Sequence, residues 1–293
     1  MENLRLKGIL LAAVGSILWG SSGIAGQFLL RNQGVAPEWL SVFRMISGGA
    51  ILLLFDAWKN QGDIFSIWKD RSDRLQLFLF GALGMLFTQY GYFITIKYSN
   101  AATATVLEYL MPILIVAWYC FRQRRLPYKK ELFCSVFAML GTALIATHGN
   151  FGSLAISTKA LVWGLLAAAS CAFYTVAPKR IIQKWRSPLV VGWGMVVGAV
   201  VLSPAAVMTP MTGQLDLDTL AAFIYVVIFG TVLSFGMYLA SIAYIEPGET
   251  SIIAALEPLS SIVFSFLIFG MTFGTFELAG MFLIIAAVIV VTR

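Results

Sequence analysis

The stretch GMLFTQYGYFITIKYSNAATATVLEYLMP, residues 84–112, recurs in altered form at residues 230–258 as GTVLSFGMYLASIAYIEPGETSIIAALEP. The two stretches align without a gap at a shift of 146 residues. Aligned positions keep their size and chemistry: Gly84 with Gly230, Thr88 with Ser234, Tyr92 with Tyr238, Thr95 with Ser241 and Pro112 with Pro258. The motif LLAA also occurs twice, at 10–13 and 165–168. The sequence therefore predicts two similar halves, residues 1–150 and residues 151–293.

The composition indicates that these halves lie in a membrane. Hydrophobic residues make up 59% of the 293 residues and charged residues only 12%, whereas about 25% is usual in soluble domains. Apolar runs near the roughly 20 residues that span a bilayer as a helix recur along the chain. We predict an all-α membrane protein with ten transmembrane helices, at 8–30, 38–57, 76–97, 101–121, 131–148, 158–177, 188–208, 219–244, 250–270 and 275–292.

An odd number of helices in each half requires the two halves to have opposite orientations in the membrane. With a cytoplasmic N-terminus, 16 of the 20 Lys and Arg residues fall in cytoplasmic loops or termini and three fall outside. This distribution follows the positive-inside rule. We therefore expect two inverted-topology repeats with both termini in the cytoplasm, and we assign the net charge of +6 to topology rather than to nucleic-acid binding.

Several kinds of function lack their usual sequence signals. The three cysteines, Cys120, Cys134 and Cys171, show neither metal-binding nor disulfide spacing, and His148 is the only histidine. No nucleotide-binding G-x-x-x-x-G-K-[ST] motif occurs. The N-terminal segment resembles a signal peptide, but its sequence reappears in the second half, so we predict a first membrane span. We expect no cofactor and no metal.

Arg44, Glu108 and Glu257 lie well inside predicted spans, away from the span ends, where a charge is costly and usually functional. Arg44 and Glu108 each lie about 9–10 Å from the outer end of their helix, which predicts an Arg44–Glu108 ion pair. Glu257 lies at a similar depth from the opposite side and has no evident basic partner. We therefore expect Glu257 to meet a proton or a cationic group of the substrate and Glu108 to be the more structural residue.

Polar and aromatic residues at spacings of three, four and seven share helix faces with these charges. The alternative interpretation of such faces is packing between helices, and for Tyr92 and Tyr238 the two interpretations stay open. Pro112 and Pro258 are expected to kink their helices. The predicted substrate-binding residues are Trp19, Arg44, Tyr92, Glu108, Tyr174, Tyr238 and Glu257.

The order of several motifs resembles the EamA-type members of the drug/metabolite transporter superfamily. These motifs are LWGSS at 18–22, an arginine early in the second span, NAATATVLEYLMP at 100–112 and LEP at 256–258. The resemblance implies a carrier of the bacterial inner membrane. It also implies a central cavity between spans one to four and six to nine, with spans five and ten at the periphery. The first span lacks the essential glutamate of the small four-helix multidrug relatives, so their coupling mechanism does not transfer.

The repeat and the polar faces together favour a secondary transporter that works by alternating access. We expect an exporter of a small amphipathic metabolite such as an amino acid, with a proton as a candidate coupling ion. The alternatives are a channel or scaffold, and a membrane-embedded lipid-processing enzyme, for which no cluster of His, Asp or Cys is evident. The partners are the solute and the lipid bilayer. Two fused halves make a monomer sufficient, and the oligomeric state stays open.

Overall fold

The computed structural model describes residues 2–60, 63–150, 155–177, 179–214, 216–241, 244–245 and 253–292. Within this part of the chain the structure is helical and contains no strand, which confirms the predicted all-α class. Eight helical stretches are long and apolar enough to cross a membrane, and two shorter apolar helices follow them. The stretches coincide with the predicted spans, which we number one to ten in chain order. A count of ten complete crossings stays a prediction, because residues 246–252 before span nine lie outside the described part.

The described part of the chain forms fourteen α-helices, and most spans consist of one or two of them. Short π-helical segments at Phe28–Asn32, Phe80–Met85 and Ile228–Leu233 continue spans one, three and eight. The helices are α1 (Glu2–Gln27), α2 (Pro37–Asn60), α3 (Arg71–Leu79), α4 (Leu86–Tyr98), α5 (Ala101–Glu108), α6 (Met111–Arg122), α7 (Lys129–Thr147), α8 (Thr158–Val176), α9 (Lys179–Lys184), α10 (Ser187–Met208), α11 (Leu217–Val227), α12 (Ser234–Ser241), α13 (Leu256–Phe269) and α14 (Thr275–Thr292).

Short polar loops begin the spans at defined residues. Asn100 accepts a hydrogen bond from the backbone N–H of Thr103 at 2.8 Å, and Ser157 accepts one from Ala160 at 3.1 Å. Asp216 caps α11 in the same way through Thr219 at 2.8 Å. Each cap satisfies a backbone donor that the first helical turn leaves unpaired. The caps allow the chain to reverse direction within a few residues.

Span four is broken near its middle, as the proline in it predicts. Helix α5 ends at Glu108, a turn at Tyr109–Leu110 follows, and α6 begins at Met111. Pro112 is the second residue of α6, and proline cannot donate a helical hydrogen bond to the carbonyl four residues earlier. That carbonyl belongs to Glu108. In span nine, α13 begins two residues before Pro258, after a turn at residues 254–255. The predicted kink of span four is thus a break, and in span nine a turn precedes the proline; each lies within two residues of a half-buried glutamate.

In the sequence repeat, spans one to five correspond to spans six to ten in the same order. In the largest contacts between the halves, where one span packs against another, the counterparts of those two spans also pack against each other. Span two packs against span seven, and span five against span ten, so these counterparts contact each other. Span one packs against spans eight and nine, while span six packs against spans three and four. This pattern is the one expected of two similar units related by a twofold axis.

Span five contacts span ten through two glycines whose backbones nearly touch. A Cβ built on Gly141 would lie 2.6 Å from the carbonyl oxygen of Gly280, and the reciprocal distance is also 2.6 Å. Neither carbonyl can rotate away as a side chain could. Small residues at such positions let membrane helices approach closely.

We expect Gly141→Ala to lower the thermal stability of the purified protein, because overpacking costs about 1–3 kcal/mol. The control is Gly236→Ala, since a Cβ on Gly236 would meet nothing within 4 Å. That control should leave stability unchanged or raise it slightly, because alanine favours a helix over glycine. Melting temperatures in detergent test both. Equal melting temperatures for the two variants would contradict the close contact.

Candidate functional site

A cavity of about 400 Å³ lies in the centre of the helix bundle. It is lined by residues of spans one to four and six to nine and of the connection between spans six and seven. Among the residues that the structure describes, none from span five or span ten lines it. The location agrees with the cavity that the family resemblance implied. All seven residues predicted to bind the substrate line this cavity: Trp19, Arg44, Tyr92, Glu108, Tyr174, Tyr238 and Glu257.

Arg44 of span two reaches across to span eight in the other half. Its Nε donates to Thr231 Oγ1 at 3.0 Å, and its Nη2 donates to the carbonyl oxygen of Gly230 at 3.3 Å. Both acceptors lie in the π-helical segment Ile228–Leu233. The guanidinium also lies 5.3 Å from the ring centre of Phe93. The residue is only 7% exposed, and these two hydrogen bonds use two of its five guanidinium N–H groups.

The predicted Arg44–Glu108 ion pair is wrong. Both residues belong to the described part of the chain, and no ion pair joins them there. The prediction rested only on the equal depth of the two residues in the membrane, whereas the side chain of Arg44 turns toward span eight. The proposed difference between a paired Glu108 and an unpaired Glu257 therefore has no structural basis. Arg44 and the two glutamates line the same cavity, and none of the ion pairs in the described part joins them.

The two glutamates occupy the ends of the broken helices. Glu108 is the last residue of α5, and Glu257 is in the first turn of α13. Both side chains are partly exposed to the cavity, and they interact electrostatically with each other. The positive end of the α13 dipole favours a negative charge at Glu257. In the sequence repeat Glu108 aligns with Ala254 and Glu257 with Met111, so each half supplies one carboxylate from a different turn.

Aromatic rings cover the wall beside Glu257. Trp19 contacts Phe235 edge to face with ring centres 5.0 Å apart, and it contacts Tyr238 with ring centres 5.1 Å apart. Tyr92 shares a 2.9 Å hydrogen bond with the hydroxyl of Thr105, so its hydroxyl is satisfied within the first half. This wall offers apolar faces to a bound solute.

Several lining residues were not predicted from the sequence, and the aromatic ones are Phe80, Tyr109 and Phe235. Tyr109 directly follows Glu108, and a continuous helix would place it about 100° away from that residue. The break at Tyr109–Leu110 turns it toward the cavity instead. Pro112 is the residue from which this break, and so the direction of Tyr109, could have been predicted. Phe235 is the repeat counterpart of Gln89, and both residues line the cavity. The repeat therefore places the two residues at equivalent positions, which was the sequence feature that indicated Phe235.

The cavity extends toward the end of the bundle that carries residues 56–74 and 179–187, because Ile182 and Ser187 contribute to its lining. At this end Arg186 forms a bidentate ion pair with Asp56, with a shortest N–O distance of 2.7 Å. Lys184 pairs with Asp73 at 2.5 Å. Both ion pairs join the first half to the segment between spans six and seven.

The opposite end of the bundle is closed by packed side chains and by hydrogen bonds. Gln27, which is 3% exposed, accepts a hydrogen bond from the backbone N–H of Ala101 at 2.7 Å. Its amide nitrogen lies 3.6 Å from the sulfur of Met271 in the second half. Arg31 donates to the carbonyl oxygen of Ser99 at 2.5 Å. Among the described residues, the cavity lining therefore extends toward one end of the bundle, while packed side chains and hydrogen bonds close the other.

Comparisons with known proteins agree with this architecture. The EamA-like transporter family matches at residues 6–147 and at residues 158–293. The inner membrane transporter YicL of Salmonella typhimurium is 37% identical over 286 residues, which cover 98% of this chain and 95% of that protein. Protein PecM of Dickeya dadantii is 25% identical over 284 residues, which cover 94% and 88% of the two chains. A crystal structure of a protein with 17% identity has the same fold, with a TM-score of 0.66 over 97% of this chain and 94% of that one.

Proposed function

The chain belongs to the EamA-like transporter family, and on this premise we propose that it is a secondary transporter of a small amphipathic metabolite. The solute carries an amino group; amino acids and related amines are the candidates. The observation that carries the proposal is the central cavity of about 400 Å³. Its volume lies within the range of about 300–1,000 Å³ typical of small-molecule sites. The lining combines apolar rings with a few charged groups, which suits a solute with both kinds of surface.

Alternating access by two inverted halves is the proposed mechanism. The halves are residues 1–150 and 151–293. The exchange of packing partners between spans and the two separate family matches support this division. Rocking one half against the other would open the sealed end and close the end that the cavity now reaches. The breaks in spans four and nine lie beside the glutamates, so the site lies where the helices bend.

The lining residues have separate proposed roles. Glu108 and Glu257 bind the amino group, while Trp19, Tyr174 and Tyr238 contact the apolar part of the solute. Tyr92 lies on the sealed side of the site. Arg44 binds span eight through its hydrogen bonds to Thr231 and Gly230 and contributes one positive charge to the cavity. A proton that binds a glutamate after the solute leaves would give the two conformations different affinities, which is the requirement for a ligand to shift them.

The proposed orientation is export from the cytoplasm across the bacterial inner membrane. YicL is named as an inner membrane transporter, and the basic loops of this chain favour a cytoplasmic location for both termini. With that orientation, the cavity reaches the cytoplasmic side.

We expect reporter fusions at residue 1 and at residue 293 to give cytoplasmic signals. Alkaline phosphatase and green fluorescent protein fused to each end make a matched pair, because the first is active only outside and the second fluoresces only inside. A fusion in the loop at 97–101 serves as the control and should give the opposite signals. A periplasmic signal from either terminus would contradict the proposed topology.

The test of the proposed function is transport by the purified protein in proteoliposomes. Radiolabelled amines, amino acids, nucleobases and sugars are compared for counterflow, in which an internal unlabelled solute accelerates uptake of the labelled one. A carrier shows counterflow and saturation. A channel shows neither and passes far more particles per second. Failure of every solute class to exchange would reject the carrier mechanism.

A further inference from the structure

We infer that the solute is an organic cation, namely an amine or quaternary ammonium compound that has an apolar body and carries no carboxylate. The inference rests on the proposed transport function and narrows its substrate class. It follows from the charges that face the cavity and from the aromatic wall beside them.

The arginine of the cavity is already bonded within the protein. Its Nε and Nη2 donate to Thr231 and Gly230, which uses two of the five guanidinium N–H groups, and the residue is 7% exposed. A solute carboxylate would have to compete with these hydrogen bonds and with the contact to Phe93. An amino acid would thus meet a cation that is committed to span eight.

Among the described residues, the carboxylates of the cavity have no basic partner, and Glu108 has only the thiol of Cys171 as a hydrogen-bonding side chain. Glu108 and Glu257 are both partly exposed to the cavity, and neither forms an ion pair with a basic residue in the described part of the chain. When Arg44, Glu108 and Glu257 are all ionised, the three charges sum to one negative charge. A bound monovalent cation neutralises the site, whereas a zwitterion leaves the excess charge in a region where an uncompensated charge is costly.

The aromatic wall fits the same ligand. Trp19, Phe235 and Tyr238 form one contiguous group, and Glu257 lines the same cavity. Aromatic faces attract ammonium groups, by about 0.5–2 kcal/mol depending on desolvation. Two carboxylates and three rings around one cavity recognise a positive charge attached to apolar atoms.

The first experiment measures the charge of the cavity without any knowledge of the solute. Cys120, Cys134 and Cys171 are replaced by alanine, and Thr175→Cys supplies an exposed thiol in the cavity lining. The thiol is modified with methanethiosulfonates that are similar in size, one cationic and one anionic, in purified, detergent-solubilised protein. The rate with the cationic reagent is divided by the rate with the anionic reagent, and this ratio is divided by the same ratio for free 2-mercaptoethanol. The result reports the electrostatic potential at the thiol.

We expect this normalised ratio to favour the cationic reagent by about tenfold, the low end of the range for clefts lined by one sign of charge, because Arg44 offsets one of the two carboxylates. Combining Glu108→Gln with Glu257→Gln should bring the ratio to one or below, because Arg44 is then the only charge left of the three. Asp218→Asn removes an exposed carboxylate outside the cavity and should leave the ratio unchanged. A normalised ratio of one or less in the protein with both glutamates would overturn the inference.

The second experiment compares three solutes that share one apolar body and differ only in charge: phenethylamine, phenylalanine and 3-phenylpropanoate. We expect phenethylamine to slow modification of the thiol at the lowest concentration. Stronger protection by phenylalanine or by 3-phenylpropanoate would overturn the cation assignment while leaving the transport proposal intact. Absence of counterflow for all solutes, together with a strongly cation-selective thiol, would instead reject the transport proposal and keep the cavity assignment.

Discussion

Glu257→Gln should reduce transport by about tenfold to a hundredfold, because hydrogen bonds to charged groups contribute about 1.5–3 kcal/mol. Glutamine keeps the shape of the side chain and most of its hydrogen-bonding capacity, but it removes the negative charge that a cationic group needs. Glu257 forms no ion pair within the described part of the chain. Its loss should therefore leave folding and membrane insertion unchanged, with a melting temperature close to that of the wild type.

Glu108→Gln should have a similar effect. The depth of Glu108 in the membrane predicted a structural ion pair with Arg44, and the loss of such a pair would lower expression. The structure shows that Arg44 bonds to Thr231 and Gly230 instead. Because both glutamates face the same cavity, we expect the Glu108 variant to express normally and to transport poorly.

Initial rates in proteoliposomes, measured against solute concentration, test both variants. Asp218→Asn is the control for removal of a carboxylate. Wild-type rates in Glu257→Gln would show that this carboxylate does not contact the solute. Poor expression of Glu108→Gln alone, with normal transport by the protein that is recovered, would restore a structural role for Glu108 through a partner other than Arg44.

The sequence predicted the composition of the site better than its internal contacts. Trp19, Tyr174 and Glu257 are far apart in the chain, yet helical spacing and the repeat indicated that their faces meet, and they line one cavity. Such spacing reports which face of a helix is polar. The height of a residue along a span also follows from its position in the sequence, because each residue advances a helix by about 1.5 Å.

The partner of Arg44 could not be predicted in the same way. Depth gives one coordinate of a side chain, whereas its neighbour depends on how spans two and eight pack sideways. The π-helical segment Ile228–Leu233 adds a second difficulty. A π-helical turn contains an extra residue and shifts the register of the following residues, and no proline or other simple signal marks it here. The break after Glu108, by contrast, was predictable from Pro112.

The second large effect is expected at Arg44. Arg44→Ala removes two hydrogen bonds in a buried contact between the two halves, so the carbonyl of Gly230 and the hydroxyl of Thr231 lose this donor, while Thr231 keeps its own bond to Val226. Leaving a buried polar group unsatisfied costs about 1–3 kcal/mol. The variant should have a lower melting temperature and a lower yield. Arg44→Lys should recover part of the loss, because one ammonium group can bond to one of the two acceptors.

A double-mutant cycle with Thr231→Val separates this contact from a general effect of charge. Valine matches the shape of threonine and removes one acceptor. If the bond to Thr231 matters, the changes in melting temperature caused by Arg44→Ala and Thr231→Val should sum to more than that of the double variant. Interacting pairs typically show coupling of about 0.5–3 kcal/mol. Strictly additive changes would contradict the contact.

A charge reversal tests most directly whether Arg44 pairs with Glu108, as their equal depth in the membrane predicts. Arg44→Glu combined with Glu108→Arg should recover none of the yield lost in Arg44→Glu, because a carboxylate at position 44 would face the carbonyl of Gly230. The matched control is Asp56→Arg combined with Arg186→Asp, where a bidentate ion pair exists in the structure and partial recovery is expected. Recovery at positions 44 and 108 equal to that of the control would mean that Arg44 leaves span eight and pairs with Glu108. In that case the arginine would be a movable part of the site, and span eight would be released whenever the pair forms.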